Sequence, residues 1–226
     1  MNLEESINKL ESIVEKIFSE DSSGHEIWHL KRVLNNALII CEKEGGDSYI
    51  IGIAAYLHDI HRIMSNETGR YVSPKESIKI VESILDYAEI KDKEIRNQIC
   101  FCIEHHEEYN WNKNNNVDLN TKILQDADNL DAIGAIGIAR TFQYGGSHGI
   151  KMYNPDKEIN YKDNYQESDD LEESTIEHFY NKLFKLEENM NTKTGKELAK
   201  KRTDYMKGFV EEFMNEWYAF DRQKIK

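Results

Sequence analysis

A chain of 226 residues is long enough to bury one sizeable core with some local elaboration. Its formal charge of −13 sets the general surface against nucleic-acid polymers, and a phosphorylated small molecule would need a local cation to bind. No stretch approaches the roughly 20 apolar residues of a membrane span, and the acidic start MNLEESINKL lacks the layout of a signal peptide.

Only two prolines, with apolar residues at helical spacing nearly throughout, predict an all-α fold. Leu3, Ile7, Leu10, Val14 and Ile17 form the first stripe, and the turn Asp21 to Gly24 breaks it. Leu30, Val33, Leu34, Ala37, Leu38 and Cys41 then give a second helix that ends near Gly45-Gly46. His29, Arg32 and Asn36 share a different face of it, where an imidazole and a guanidinium can hold metal and phosphate together.

Ile50, Ile51, Ile53, Ala54, Ala55 and Leu57 predict a third helix, apolar nearly all round and hence central. The pair His58-Asp59 at its end would be fixed by that packing. Ser73-Pro74-Lys75-Glu76 has the form of a capping box, with Ile78, Val81, Leu85 and Ala88 as the following stripe. Another helix runs through Ile95, Ile99 and Cys102, and His106 takes its next core-facing slot. Cys100 and Cys102 lie two apart, which suits packing better than shared metal binding. With Cys41 they make three thiols that cannot all pair, so a reducing cytoplasm is expected.

Tyr109 to Asn120 is polar and Asn-rich, as in a surface loop. Ile123, Ala127, Leu130 and Gly134 begin a long helix. The break from Tyr144 to Asp170 is long enough for a lid or a pocket rim. Two more helices are expected, about Leu171 to Glu188 and Thr194 to Phe220, the second opened by a capping box from Thr194 to Glu197.

His29, His58 and Asp59 lack one further donor for a metal, and Asp126 is the candidate. Of its acidic neighbours, Asp128 can cap the helix or pair with arginine, and Asp131 can solvate a helix face. The plainer reading of His58-Asp59 is a buried ion pair with Arg32 or Arg140. Imidazoles with carboxylates suit Mn²⁺, Fe²⁺, Co²⁺ or Zn²⁺, and such an ion lowers the pKa of a water towards about 7.

The ordered set His29, His58-Asp59, Asp126 resembles the H…HD…D signature of the HD superfamily of metal-dependent phosphohydrolases. The blocks GHEIWHLKRV, AAYLHDI, QDADNLDAIGAIGIARTF and the tail from Ser174 to Arg202 extend the likeness from Gly24 to about Trp217. The resemblance implies one domain over 1–226: a compact helical bundle with its core at about 24–145 and C-terminal helices at 171–220 packed on it. It also implies one divalent ion on His29, His58, Asp59 and Asp126, with Mn²⁺ favoured and Fe, Co, Ni, Zn or Mg as substitutes. A second ion would need more donors than His105 and His106 supply.

The activity implied is hydrolysis of nucleoside or deoxynucleoside triphosphates to monophosphate and pyrophosphate, with the ion activating water as hydroxide. The substrate partner is then a small nucleotide or other phosphate ester. Several members carry an acid after the HD pair, as in HDxxED, whereas this chain has His61 and Arg62 there. Asp59, His61 and His106 are therefore the catalytic candidates, with Arg32, Arg140, Lys182 and Lys185 for the phosphates. Alternatives are a phosphomonoesterase or cyclic-nucleotide phosphodiesterase on the same site, or a nucleotide-sensing module without catalysis.

Overall fold

The structure, a computed structural model, describes residues 2–19, 26–109, 116–159, 165 and 173–219. They form α1 (Leu3–Ile17), α2 (Ile27–Glu44), α3 (Ser48–Leu57), α4 (Ile60–Thr68), α5 (Pro74–Tyr87) and α6 (Lys93–Glu104). After these come α7 (Leu119–Asp131), α8 (Gly134–Ser147), α9 (Thr175–Asn181), a 3₁₀ turn (Leu183–Lys185), α10 (Leu186–Asn189) and α11 (Lys193–Trp217). No strand occurs among the described residues; Lys151 and Ser174 form an isolated bridge. Nor is any described helix long and apolar enough to cross a membrane.

Local chemistry explains most of the starts. Asp47, Asp92 and Asp118 each accept from backbone N–H groups of the first turn they precede. Ser73 and Glu76 form the expected reciprocal capping box, with Pro74 in the first turn of α5. Every residue from Ile50 to Leu57 is buried, so α3 is the central element, contacting α1, α2, α6 and α7. One cluster of buried apolar side chains draws on residues from α1 to α11.

α3 ends at Leu57 as expected, and a further helix that the apolar pattern did not indicate, α4, begins at Ile60. Three expectations change. The long helix expected from Ile123 is two helices, because Ile133 is extended and Gly134 has φ +79. That backbone favours glycine, and a side chain there would meet the stem of Arg202. The expected break at Tyr144 starts later, since α8 runs on to Ser147. The tail has more pieces than two helices. The turn from Asp21 to Gly24, the middle of the Asn-rich loop, and residues 160–164 and 166–170 of the lid segment with the Leu171 start lie outside the described residues.

The cap of α11 is also displaced from Thr194 to Thr192. Thr192 Oγ1 accepts from the Gly195 N–H (2.9 Å) and donates to Asp126 Oδ2 (2.7 Å). Thr194 instead donates its N–H and hydroxyl to Glu44, at 2.6 Å each. Valine matches the shape of threonine but makes neither bond. Thr192→Val should therefore cost about 1–3 kcal/mol in urea denaturation, and a loss within error would show that this cap contributes nothing.

Candidate metal centre

Two pairs of residues, each one helical turn apart, face each other where α2 meets α7. His29 and Arg32 project from α2, Asp128 and Asp131 from α7. Asp131 is buried and accepts from His29 Nδ1 (2.7 Å), Arg32 Nε (2.8 Å) and Arg140 Nη1 (2.9 Å). Burial works against its charge, but the bonds from His29 and Arg32 prevail and hold the carboxyl at about 2. Asp131 is thus no solvated helix acid. It fixes the ring of His29 so that Nε2 points the other way, as the outer partner of a metal-bound histidine does.

His58 and Asp59 reach the same point because the chain bends between α3 and α4. Asp59 sits at φ −91, ψ 14, so both side chains turn inward instead of following one helix. His58 Nδ1 donates to the Ala55 carbonyl at 2.9 Å, and its Nε2 lies 3.3 Å from His29 Nε2. Asp59 Oδ2 is 3.1 Å from His29 Nε2, and Asp59 Oδ1 is 3.5 Å from His58 Nε2. The plainer reading, an ion pair from Asp59 to Arg32 or Arg140, gives way: those two arginines serve Asp131.

The acid that joins this cluster is Asp128. Its Oδ1 lies 3.5 Å from His29 Nε2 and 3.6 Å from His58 Nε2. Asp126 faces the start of α11, where it accepts from the backbone N–H groups of Asn191 and Thr192 at 2.8 Å each. Asn191 Nδ2 and Thr192 Oγ1 add further bonds, at 3.0 Å and 2.7 Å. The acid beside the two histidines is therefore Asp128, and not Asp126 as expected. Residues two apart on a helix point to nearly opposite sides, so α7 can offer only one of them to His29. The sequence held the signal: Asp128 and Asp131 have the same one-turn spacing as His29 and Arg32.

The remaining candidates are placed as follows. His61 is buried on α4, with Nδ1 3.1 Å from the His58 carbonyl and Nε2 3.2 Å from Glu107 Oε1. Glu107, which the sequence did not single out, also accepts from Arg62 and from the Tyr71 hydroxyl (2.6 Å). His106 is buried beside His58 and His61, its ring centroid 5.0 Å and 5.3 Å from theirs. Lys182 lies over the rings of Tyr109 and Tyr165, at 5.2 Å and 4.9 Å. Lys185 is half-buried in the 3₁₀ turn.

The donor set fits a divalent ion. Ligands about 2.1 Å from one ion stand about 3.0–3.4 Å apart, close to the 3.1–3.6 Å separations among His29, His58, Asp59 and Asp128. Burial favours neutral His58, yet Asp59 and Asp128 outweigh it and raise its pKa to about 9. Asp128 is correspondingly held well below the carboxylate range; its burial is outweighed by the His58 and His29 imidazoles.

A family model described as HD domain matches residues 27–133, which span all four of these donors. The chain is similar to YpgQ of Bacillus subtilis (strain 168), with 32% identity over 212 residues and 93% of each chain covered. The crystal structure of an HD-superfamily hydrolase from Bacillus thuringiensis superposes with a TM-score of 0.70 at 36% identity, covering 96% of this chain and 100% of that one. The structure of Bacillus subtilis YpgQ in complex with ADP superposes with a TM-score of 0.67 at 28% identity, covering 94% of this chain and 96% of that one. Relatedness along nearly the whole length, together with the converging imidazoles and carboxylates, places this chain in the HD-domain family, with the fold of the HD-superfamily hydrolases.

Proposed function

We propose that the chain is a metal-dependent phosphohydrolase that cleaves nucleoside or deoxynucleoside triphosphates to monophosphate and pyrophosphate. The observation that carries this reading is the convergence of His29, His58, Asp59 and Asp128 from three separate parts of the chain. ADP bound to YpgQ supports a nucleotide as the ligand. A divalent ion, Mn²⁺ by preference, supplies Lewis acidity towards a phosphoryl oxygen and makes water a stronger acid.

The chain's own residues perform the rest. Asp131 orients His29 through Nδ1, and the Ala55 carbonyl orients His58 in the same way. Arg62 lies at the edge of the cluster, with Nε 3.8 Å from Asp59 Oδ1 and 22% of its side chain exposed. It holds Glu107 beside the cluster, as Arg32 and Arg140 hold Asp131 behind His29.

A nucleotide panel with Mn²⁺, Co²⁺, Mg²⁺ or Ni²⁺ tests the proposal by identifying the leaving group. Pyrophosphate release, lost on chelation and restored by Mn²⁺, is the expected result. Orthophosphate release from monoesters would move the activity to a phosphomonoesterase. No turnover of any phosphate ester with any of these ions would sink the hydrolase reading.

A further inference from the structure

We propose that a cavity behind the metal centre is a second ligand site, which takes a small organic phosphate with its phosphate group on Arg32 and Arg202. The cavity measures about 360 Å³, within the range of roughly 300–1,000 Å³ usual for small-molecule sites. Arg32, Asn35, Asn36, Ile133, Ile136 and Arg202 form its walls, and Asp131, whose carboxylate also meets His29, lines it too. None of His29, His58, Asp59 and Asp128 lines it. The site therefore goes beyond the proposed hydrolysis and does not depend on it.

Arg202 gives the strongest reason. Its stem packs against Gly134, where a Cβ would stand 3.1 Å from it. Nη1 donates to the Leu130 carbonyl and Nη2 to Asn36 Oδ1 at 3.3 Å, so uncharged acceptors fix the guanidinium. No carboxylate of the described residues forms an ion pair with it. The negative charge that acts on it is that of Asp131, already engaged by His29, Arg32 and Arg140. Burial pushes the Arg202 pKa down, and Asp131 offsets only part of that. An arginine keeps its proton all the same, so a cation short of both water and counter-ion forms part of the cavity wall.

Arg32 adds a second guanidinium. Its Nε and Nη2 donate to Asp131 at 2.8 Å and 3.1 Å, and Nη1 stands 3.6 Å from Glu26 Oε1. With 30% of the side chain exposed, it has room to meet an anion without leaving Asp131. The start of α8 agrees with this. Gly134, Ala135 and Ile136 line the cavity, and Ile133 gives that turn no side-chain cap. First-turn N–H groups have no acceptor inside their own helix, and an anion suits them.

Two guanidiniums beside such a turn fit a phosphate group. In a chain of formal charge −13, most of the surface would repel it. The remaining wall suits an organic body: Ile133 and Ile136 offer apolar surface, and the Asn35 amide can donate or accept.

The test is calorimetric titration of the full chain, kept free of metal by a chelator so that no ion anchors the ligand elsewhere. ADP, inorganic phosphate and adenosine are compared. Saturable binding of one ADP per chain is expected, with inorganic phosphate and adenosine each weaker by about tenfold or more. Arg202→Gln removes a charge-assisted contact and should weaken ADP by about tenfold or more. Ile136→Glu sets a negative charge at a position 47% exposed and should also weaken ADP, with Mn²⁺ binding unchanged. Circular dichroism checks that both variants fold.

ADP binding that survives in both folded variants overturns the site, as does a chelated wild-type chain that binds no ADP. Adenosine bound as tightly as ADP overturns the role of the phosphate, and inorganic phosphate bound as tightly overturns that of the organic body. Should neither variant fold, tungstate located by anomalous scattering decides. A peak between Arg32 and Arg202 is expected, and peaks only elsewhere overturn the site. Failure of the hydrolase reading would alter none of these measurements.

Discussion

Asp128→Asn is expected to weaken Mn²⁺ binding by more than about 100-fold, whereas Asp126→Asn leaves it within a few-fold. Loss of an outer partner of a ligand already costs about 10–100-fold in metal affinity, and Asp128 faces the donor nitrogens directly. Asparagine keeps the volume but removes the negative charge that the ion would meet. Calorimetric titration of the metal-free variants, with wild type alongside, reads the difference.

Asp126→Asn should act on stability instead. Its Oδ2 accepts from both the N–H and the hydroxyl of Thr192, and an amide NH₂ in that place cannot accept. A loss of about 1–3 kcal/mol in urea denaturation follows, with the metal site intact. If Asp126→Asn lost the ion and Asp128→Asn kept it, the arrangement of α7 described above would be wrong.

Asp131→Ala should affect both quantities at once. The change leaves His29, Arg32 and Arg140 without the carboxylate that faces all three. Breaking a buried ionic group by removing one partner costs about 3–5 kcal/mol; with Arg32 30% exposed, the lower end is expected. The His29 ring also loses the bond that sets its tautomer, so Mn²⁺ affinity should fall by about 10–100-fold. A variant less than about 1 kcal/mol below wild type would show that this cluster does not hold α2 against α7.

The acid limb gives the same comparison a sign. Asp131 is held at about 2 in the folded chain, below the ordinary aspartate value of about 3.9. Its contribution is therefore complete above about pH 4 and is lost as pH falls towards 2. The stability gap between wild type and Asp131→Ala should narrow over that interval. A gap that stayed constant would assign the loss to packing and not to charge.

Much of this was legible locally. The capping box at Ser73 and Glu76 reads correctly because its two bonds join residues three apart and depend on nothing distant. The central place of α3 reads correctly because a helix apolar all round has no solvent face to offer. The His58-Asp59 pair stands out for a related reason, since a charge set beside an apolar helix needs a partner, whereas His29 stands out only through the resemblance to the HD superfamily.

The errors share a cause as well. Asp126 and Asp128 are the same residue type two positions apart, and only the docking of α7 between α2 and α11 sends one to the histidines and the other to Thr192. Thr192 and Thr194 exchange roles because Glu44, far away in sequence, claims the second. Glu107 reaches His61 and Arg62 only when the end of α6 comes to lie beside α4.

The sequence by itself determined the all-helical character and the capping box at Ser73, since each depends on a few neighbouring residues, and its resemblance to the HD superfamily singled out His29, His58 and Asp59. Tertiary structure decided which face of each helix those donors share, which acid completes the set and where His61 and His106 turn. A helical period fixes relative angles within one segment but says nothing of its rotation against the next.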